Sequence, residues 1–85
     1  MIVGSLVLYG TRGCHLCEVA EGMLLPWVGS GWSVELIDIA DDDSLLERFG
    51  LMIPVLESAS GDTLSWPFNA ISLEQFLLDC GGKAP

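Results

Sequence analysis

Eighty-five residues, 51% of them hydrophobic, make one folded domain over 1–85, too short for two cores and too apolar for disorder. Net charge is −9, twelve acids against Arg12, Arg48 and Lys83, so there is no basic face to neutralise nucleic-acid phosphates or to hold an anionic membrane surface. No apolar run reaches the roughly 18 residues of a membrane span.

Ser5 to Tyr9 is a short apolar run closed by Gly10, the pattern of a strand buried on both faces and central in its sheet. The stretch from Met1 to Tyr9 has no basic n-region and no small-residue cleavage pattern, so it reads as strand rather than leader, and the expected compartment is the cytoplasm. Thiols stay reduced there, and a CxxC is then catalytic or metal-binding rather than a structural staple.

That CxxC follows at once, in Thr11-Arg12-Gly13-Cys14-His15-Leu16-Cys17. After it, Leu16, Val19, Ala20, Met23 and Trp27 recur at helical spacing with Glu18 and Glu21 on the other side, which predicts a helix from about Cys14. Pro26 and Gly29-Ser30-Gly31 mark its end. Val34 to Ile39 is the second strand, completing a βαβ unit with a right-handed crossover.

Asp41-Asp42-Asp43-Ser44 then offers caps and first-turn acids to a short helix through Leu45, Leu46 and Phe49, stopped by Gly50. Helix capping accounts for these acids, whose spacing is not that of an EF-hand loop. Met52 to Glu57 and Thr63 to Trp66, joined through Ser60-Gly61-Asp62, read as a β-hairpin. Ser72 and Gln75 fit a capping box, with Ile71 and Phe76 as its staple, for a last helix running to about Cys80 and ending at Gly81-Gly82. The fold class is α/β, in the order β-α-β-α-β-β-α.

A catalytic cysteine must offer a thiolate near neutral pH, and a helix N-terminus supplies free N–H groups and a positive dipole end to do so. Cys14 occupies that place, with Arg12 and a protonated His15 as local positive charge. Cys17, one turn inside, is the expected resolving thiol. The competing reading is a metal module, in which Cys14, Cys17 and His15 or Cys80 hold zinc or an iron–sulfur cluster. A closed zinc site wants four ligands, and no second CxxC exists, so no metal is expected. A fold used for binding only, with an idle dithiol, is the third reading.

Cys14-His15-Leu16-Cys17 after a strand, Ile53-Pro54 opening the third strand, and the element order resemble the thioredoxin superfold. More closely, Thr11 to Cys17, Val34 to Asp43, Ile53 to Leu56 and Trp66 to Phe68 resemble the small bacterial glutaredoxin-like family. The resemblance implies a four-stranded mixed sheet of order 2-1-3-4 flanked by helices, and a cis peptide at Ile53-Pro54. It also implies that this proline packs beside the dithiol, leaving the Ile53 backbone to pair with an extended substrate. The function it implies is thiol–disulfide oxidoreduction within cell redox homeostasis, on a disulfide-bearing protein or a glutathione-like thiol, with Phe68 either an apolar substrate contact or a core residue between the hairpin and the last helix. No cofactor is expected; glutathione is the candidate co-substrate, and a monomer is expected. Glutaredoxins proper carry Pro and an aromatic where this chain has His15 and Leu16, and a lysine where it has Thr11. Their Asp-bearing glutathione motif is replaced by Phe68-Asn69-Ala70-Ile71-Ser72.

Overall fold

A computed structural model describes residues 4–50 and 52–79. The chain runs β1 (Gly4–Gly10), α1 (His15–Gly29), β2 (Trp32–Asp38), a 3₁₀ turn (Ile39–Asp41), α2 (Asp43–Phe49), β3 (Val55–Ser58), β4 (Thr63–Ser65) and α3 (Ala70–Asp79). Cys80 and the helix stop read at Gly81-Gly82 lie outside the described residues.

The sheet has the order β2-β1-β3-β4, with β1 parallel to β2 and antiparallel to β3, and β3 antiparallel to β4. β1 is therefore an inner strand, as its apolar run requires. Its successive side chains leave from opposite faces. Leu6 and Leu8 join Ala20 and Leu24 of α1 and Leu73 and Leu77 of α3, whereas Tyr9 joins Ile39, Phe49 and Val55 on the α2 side. Leu24, Leu73 and Leu77 are fully buried, each contributing about 1.5–3 kcal/mol of burial free energy. The α/β layout implied by the resemblance is the one observed.

Several boundaries differ from expectation for identifiable reasons. α1 includes Pro26 and runs to Gly29, the first residue of the Gly29-Ser30-Gly31 stop. The proline lies in the last turn, where its missing N–H costs the helix one ladder bond close to its end, and Ser30 closes the helix by donating its N–H to the Trp27 carbonyl at 3.0 Å. The buried face of α1 is also rotated. Cys17, Ala20 and Leu24 face inward, while Leu16 and Val19, expected inside, are 43% and 39% exposed. Small Cys and Ala side chains let the helix lie close to the sheet.

β2 begins two residues before Val34 and stops at Asp38, whose carboxylate accepts from the Ala40 N–H at 2.9 Å and turns the chain into the 3₁₀ segment. β3 starts at Val55 rather than Met52, since Pro54 has no N–H for a ladder. α3 starts before Ser72 because Asn69 is its cap. The Asn69 Oδ1 accepts from the Ser72 N–H at 2.8 Å, and the Ser72 Oγ accepts from the Asn69 N–H at 2.9 Å. This is the reciprocal box, one register earlier than Ser72/Gln75. Ile71 is 70% exposed and so forms no staple with Phe76.

Candidate active site

The dithiol is assembled by the end of β1 and the start of α1. Gly13, at φ 75°, supplies a left-handed turn that a side chain would disfavour. The Cys14 N–H then donates to the Thr11 carbonyl at 3.4 Å, and Cys14 takes the N-cap of α1 in extended geometry. Its Sγ accepts from the Cys17 N–H at 3.2 Å. A sulfur thus fills the place that a Ser or Asp oxygen usually takes, at the positive end of a fifteen-residue helix.

Cys14 and Cys17 are joined as a disulfide with Cα atoms 5.2 Å apart, well within the usual span of such a bridge. The two sulfurs have unequal surroundings: Cys14 is half-buried and Cys17 is buried. Gly10 explains how Cys17 fits. A Cβ at residue 10 would stand 2.8 Å from the Cys17 Sγ, so the last position of β1 has to be bare. The strand-closing glycine in the sequence is the signal of this close approach.

Arg12 and His15 do not touch the sulfurs by any bond found among the described residues. His15 lies on the solvent side, its Nδ1 3.9 Å from the Glu18 carboxylate with 84% of its side chain exposed. Arg12 is exposed and borders an open groove of about 330 Å³ on the β2 side of the dithiol. Leu8, Leu36 and Ile37 line that groove together with Glu21, Asp38 and Cys17 itself.

On the other side, Ile53–Pro54 is a cis peptide, as the resemblance implies. The β1–β3 register pairs Tyr9 with Val55; continued by one residue it sets Pro54 opposite Gly10, the residue against which Cys17 packs. Pro54 is fully buried. Its carbonyl accepts from the Trp66 N–H at 3.0 Å, and the Met52 N–H donates to the Phe49 carbonyl at 2.8 Å. Between these two ties, Ile53 makes no backbone hydrogen bond among the described residues.

Of the two readings of Phe68, substrate contact or core residue, its burial fits the core: it is 7% exposed and edge-on to Trp66 at 5.0 Å between ring centroids. It belongs to the cluster that Leu6 and Leu8 form with α1 and α3. A second cis bond, Trp66–Pro67, is not anticipated by the sequence reading.

A polar cluster on the α2 side is likewise unsignalled. The Tyr9 hydroxyl donates to Glu57 Oε1 at 2.8 Å and the Arg48 guanidinium to Glu57 Oε2 at 3.3 Å. The Tyr9 ring stacks on Phe49 at 4.6 Å, and the Arg48 guanidinium lies 4.6 Å from the centre of the same Phe49 ring. Burial pushes the Tyr9 phenol up from its ordinary value, with the hydrogen bond to Glu57 adding to the effect.

The arrangement as a whole is a helix-capping cysteine, a buried partner in disulfide with it, and a cis-proline segment across from the strand end. Residues 5–78 match the family model for the glutaredoxin-like domain (DUF836). The chain belongs to the glutaredoxin-like domain family. Its similarity to solved structures agrees with this assignment. The X-ray structure of the structural genomics target protein XcR50 from X. campestris is 35% identical, with 94% of this chain and 99% of that chain covered and a TM-score of 0.78. The solution structure of XcR50 gives 36% identity, 94% and 95% coverage and a TM-score of 0.74. Protein Ne2328 from Nitrosomonas europaea is 25% identical over 86% of this chain and 89% of that chain, at a TM-score of 0.73. No curated protein matches the chain. In this glutaredoxin-like domain no helix among the described residues is long and apolar enough to cross a membrane.

Proposed function

We propose that this glutaredoxin-like protein is a thiol–disulfide oxidoreductase, with Cys14 as nucleophile and Cys17 as resolving thiol. The observation that carries the reading is the Cys14 Sγ at the N-cap of α1, accepting the Cys17 N–H. In the reduced protein the same N–H and the helix N-terminus favour the Cys14 thiolate. That thiolate attacks one sulfur of a substrate disulfide, forming a mixed disulfide and expelling the other substrate sulfur as a thiolate. Cys17 then gives up its proton and attacks the Cys14 Sγ, closing the protein disulfide and releasing the second substrate thiolate. Two electrons pass from the dithiol to the substrate.

Arg12 adds positive charge beside Cys14 in a chain of net charge −9, while His15 contributes at most from the solvent side. The open Ile53 backbone and the buried Pro54 form the docking side for an extended segment of a disulfide-bearing protein, and a glutathione-like thiol is the candidate electron donor. A monomer working in a reducing compartment such as the cytoplasm suits this chemistry.

The test starts with a metal assay of the purified protein, followed by equilibration of the Cys14/Cys17 couple against a glutathione buffer. A metal-free, reversible two-electron couple is the expected result; stoichiometric zinc or iron, or no reversible couple, overturns the reading. Cys17→Ser should accumulate a mixed disulfide at Cys14 on exposure to a disulfide substrate, seen as an added mass, and Cys14→Ser should accumulate none.

A further inference from the structure

We propose that Glu57 is a positioning residue for this reaction, clamping the cis-proline segment so that the Ile53 main chain is held where a disulfide substrate docks. The proposal rests on the oxidoreductase reading. Glu57 lies on β3, beyond the segment, and each of its carboxylate oxygens is bound by a group from a different element: Tyr9 of β1 through Oε1 and Arg48 of α2 through Oε2. Arg48 precedes the segment by only a few residues. The Arg48–Glu57 pair therefore closes a loop whose two ends flank Met52, Ile53 and Pro54.

An exposed ion pair by itself is worth about 0–1 kcal/mol and would mean little. This one is not by itself. Tyr9 and Phe49 are both buried, with their rings stacked, and the Ile53 side chain packs against the cluster formed by Tyr9, Ile39, Phe49 and Val55. Glu57 thereby fixes Tyr9 and the last turn of α2, those rings fix the Ile53 side chain, and the side chain fixes the backbone that has no hydrogen-bonding partner of its own among the described residues. Tyr9 also adjoins Gly10, against which Cys17 packs, so the clamp and the dithiol share one strand end. Loosening the clamp should misplace the docking backbone without altering the sulfurs, which weakens the hold on an extended substrate and leaves the step at the sulfurs as it was.

The experiment uses the full-length reduced protein and two probes: a disulfide-bridged peptide long enough to lie extended, and bis(2-hydroxyethyl) disulfide, which is too small to use the Ile53 backbone. Glu57→Leu should raise KM for the peptide about fivefold, with kcat and the rate with the small disulfide both within about twofold of wild type. Glu57→Gln, whose amide oxygen still accepts from Tyr9 but carries no charge for Arg48, should fall between, and Arg48→Lys, which keeps a charge for Glu57, should leave KM near the wild-type value. An unchanged peptide KM in Glu57→Leu overturns the proposal, as does equal slowing with both probes, which would mean a general structural role. Should Glu57→Leu not fold, Glu57→Gln and Tyr9→Phe decide by the same KM criterion. Wild type inactive on both probes overturns the oxidoreductase reading and this inference together, an outcome distinct from a failed KM split.

Discussion

At Gly10 a single hydrogen atom stands where any other residue would place carbon against the Cys17 sulfur, at 2.8 Å. Gly10→Ala is expected to cost about 1–3 kcal/mol of stability, in the range of other overpacking substitutions, read from urea unfolding of the oxidised protein. The same variant should slow resolution of the Cys14 mixed disulfide, since Cys17 is the residue displaced. Tyr9 gives a prediction on the alkaline side. Its phenol is held protonated by burial and by Glu57, so its folded-state value lies above that of the unfolded chain. The stabilisation is fully present below about pH 10 and is lost as pH rises through the folded-state value. Wild type should therefore lose stability above pH 10 by a component that Tyr9→Phe lacks; parallel stability–pH curves for the two proteins would contradict the assignment. Of these residues the cysteines were legible in the sequence because their chemistry is local: strand, CxxC and helix follow within a few residues. The Tyr9–Glu57 bond spans 48 positions, and no periodicity or spacing marks it.

Among the elements, the two shorter helices show how far capping patterns can be read. Asp42 caps α2, accepting from the Ser44 and Leu45 N–H groups at 2.9 and 3.2 Å, as the acidic run suggests. Its carboxyl is held below the ordinary carboxylate value, first by the Ser44 hydroxyl and then by the Leu45 N–H. Helix α2 should thus lose this support as pH falls through that depressed value, and an Asp42→Asn protein should be the less acid-sensitive of the two. At α3 the structure uses Asn69 with Ser72, where the sequence reading takes Ser72 with Gln75. Both satisfy cap chemistry, and only the path of the chain out of β4 selects the first. Asn69→Ala is expected to cost about 1 kcal/mol in urea unfolding, against little effect from Gln75→Ala. The buried phase of α1 departs from its hydropathy pattern for a related reason. Leu16 and Val19 are more apolar than Cys17 and Ala20, yet close contact with β1 favours small side chains, a tertiary demand that hydropathy does not encode.

For the molecule as a whole, charge is the dominant long-range term. The longest dimension is 34 Å, and at 0.01 M salt the screening length is about 30 Å, so nearly every acid repels every other. Raising salt from about 0.01 to 1 M shortens that length to about 3 Å and should raise the melting temperature. A flat or falling melting temperature would show that ion pairs such as Arg48–Glu57 outweigh the repulsion. The sheet order was legible only through the family resemblance, since the element sequence gives a parallel βαβ unit and an antiparallel hairpin but not which strands of the two lie side by side.

The sulfur that caps α1 has one more consequence, which is thermodynamic. Reduction and unfolding form a closed cycle, so the difference in unfolding free energy between the dithiol and disulfide forms equals the difference in reduction potential between the folded chain and the unfolded one. Here about 30 mV corresponds to about 1.4 kcal/mol. A thiolate cap stronger than a disulfide cap makes the reduced protein the relatively more stable form and the folded couple the more oxidising one, by the same quantity. Denaturation of both redox forms, set against the potential of a short unfolded peptide spanning Cys14 and Cys17, measures that quantity twice. The two values must agree, and the Cys17 N–H that meets the Cys14 sulfur at 3.2 Å is counted in both.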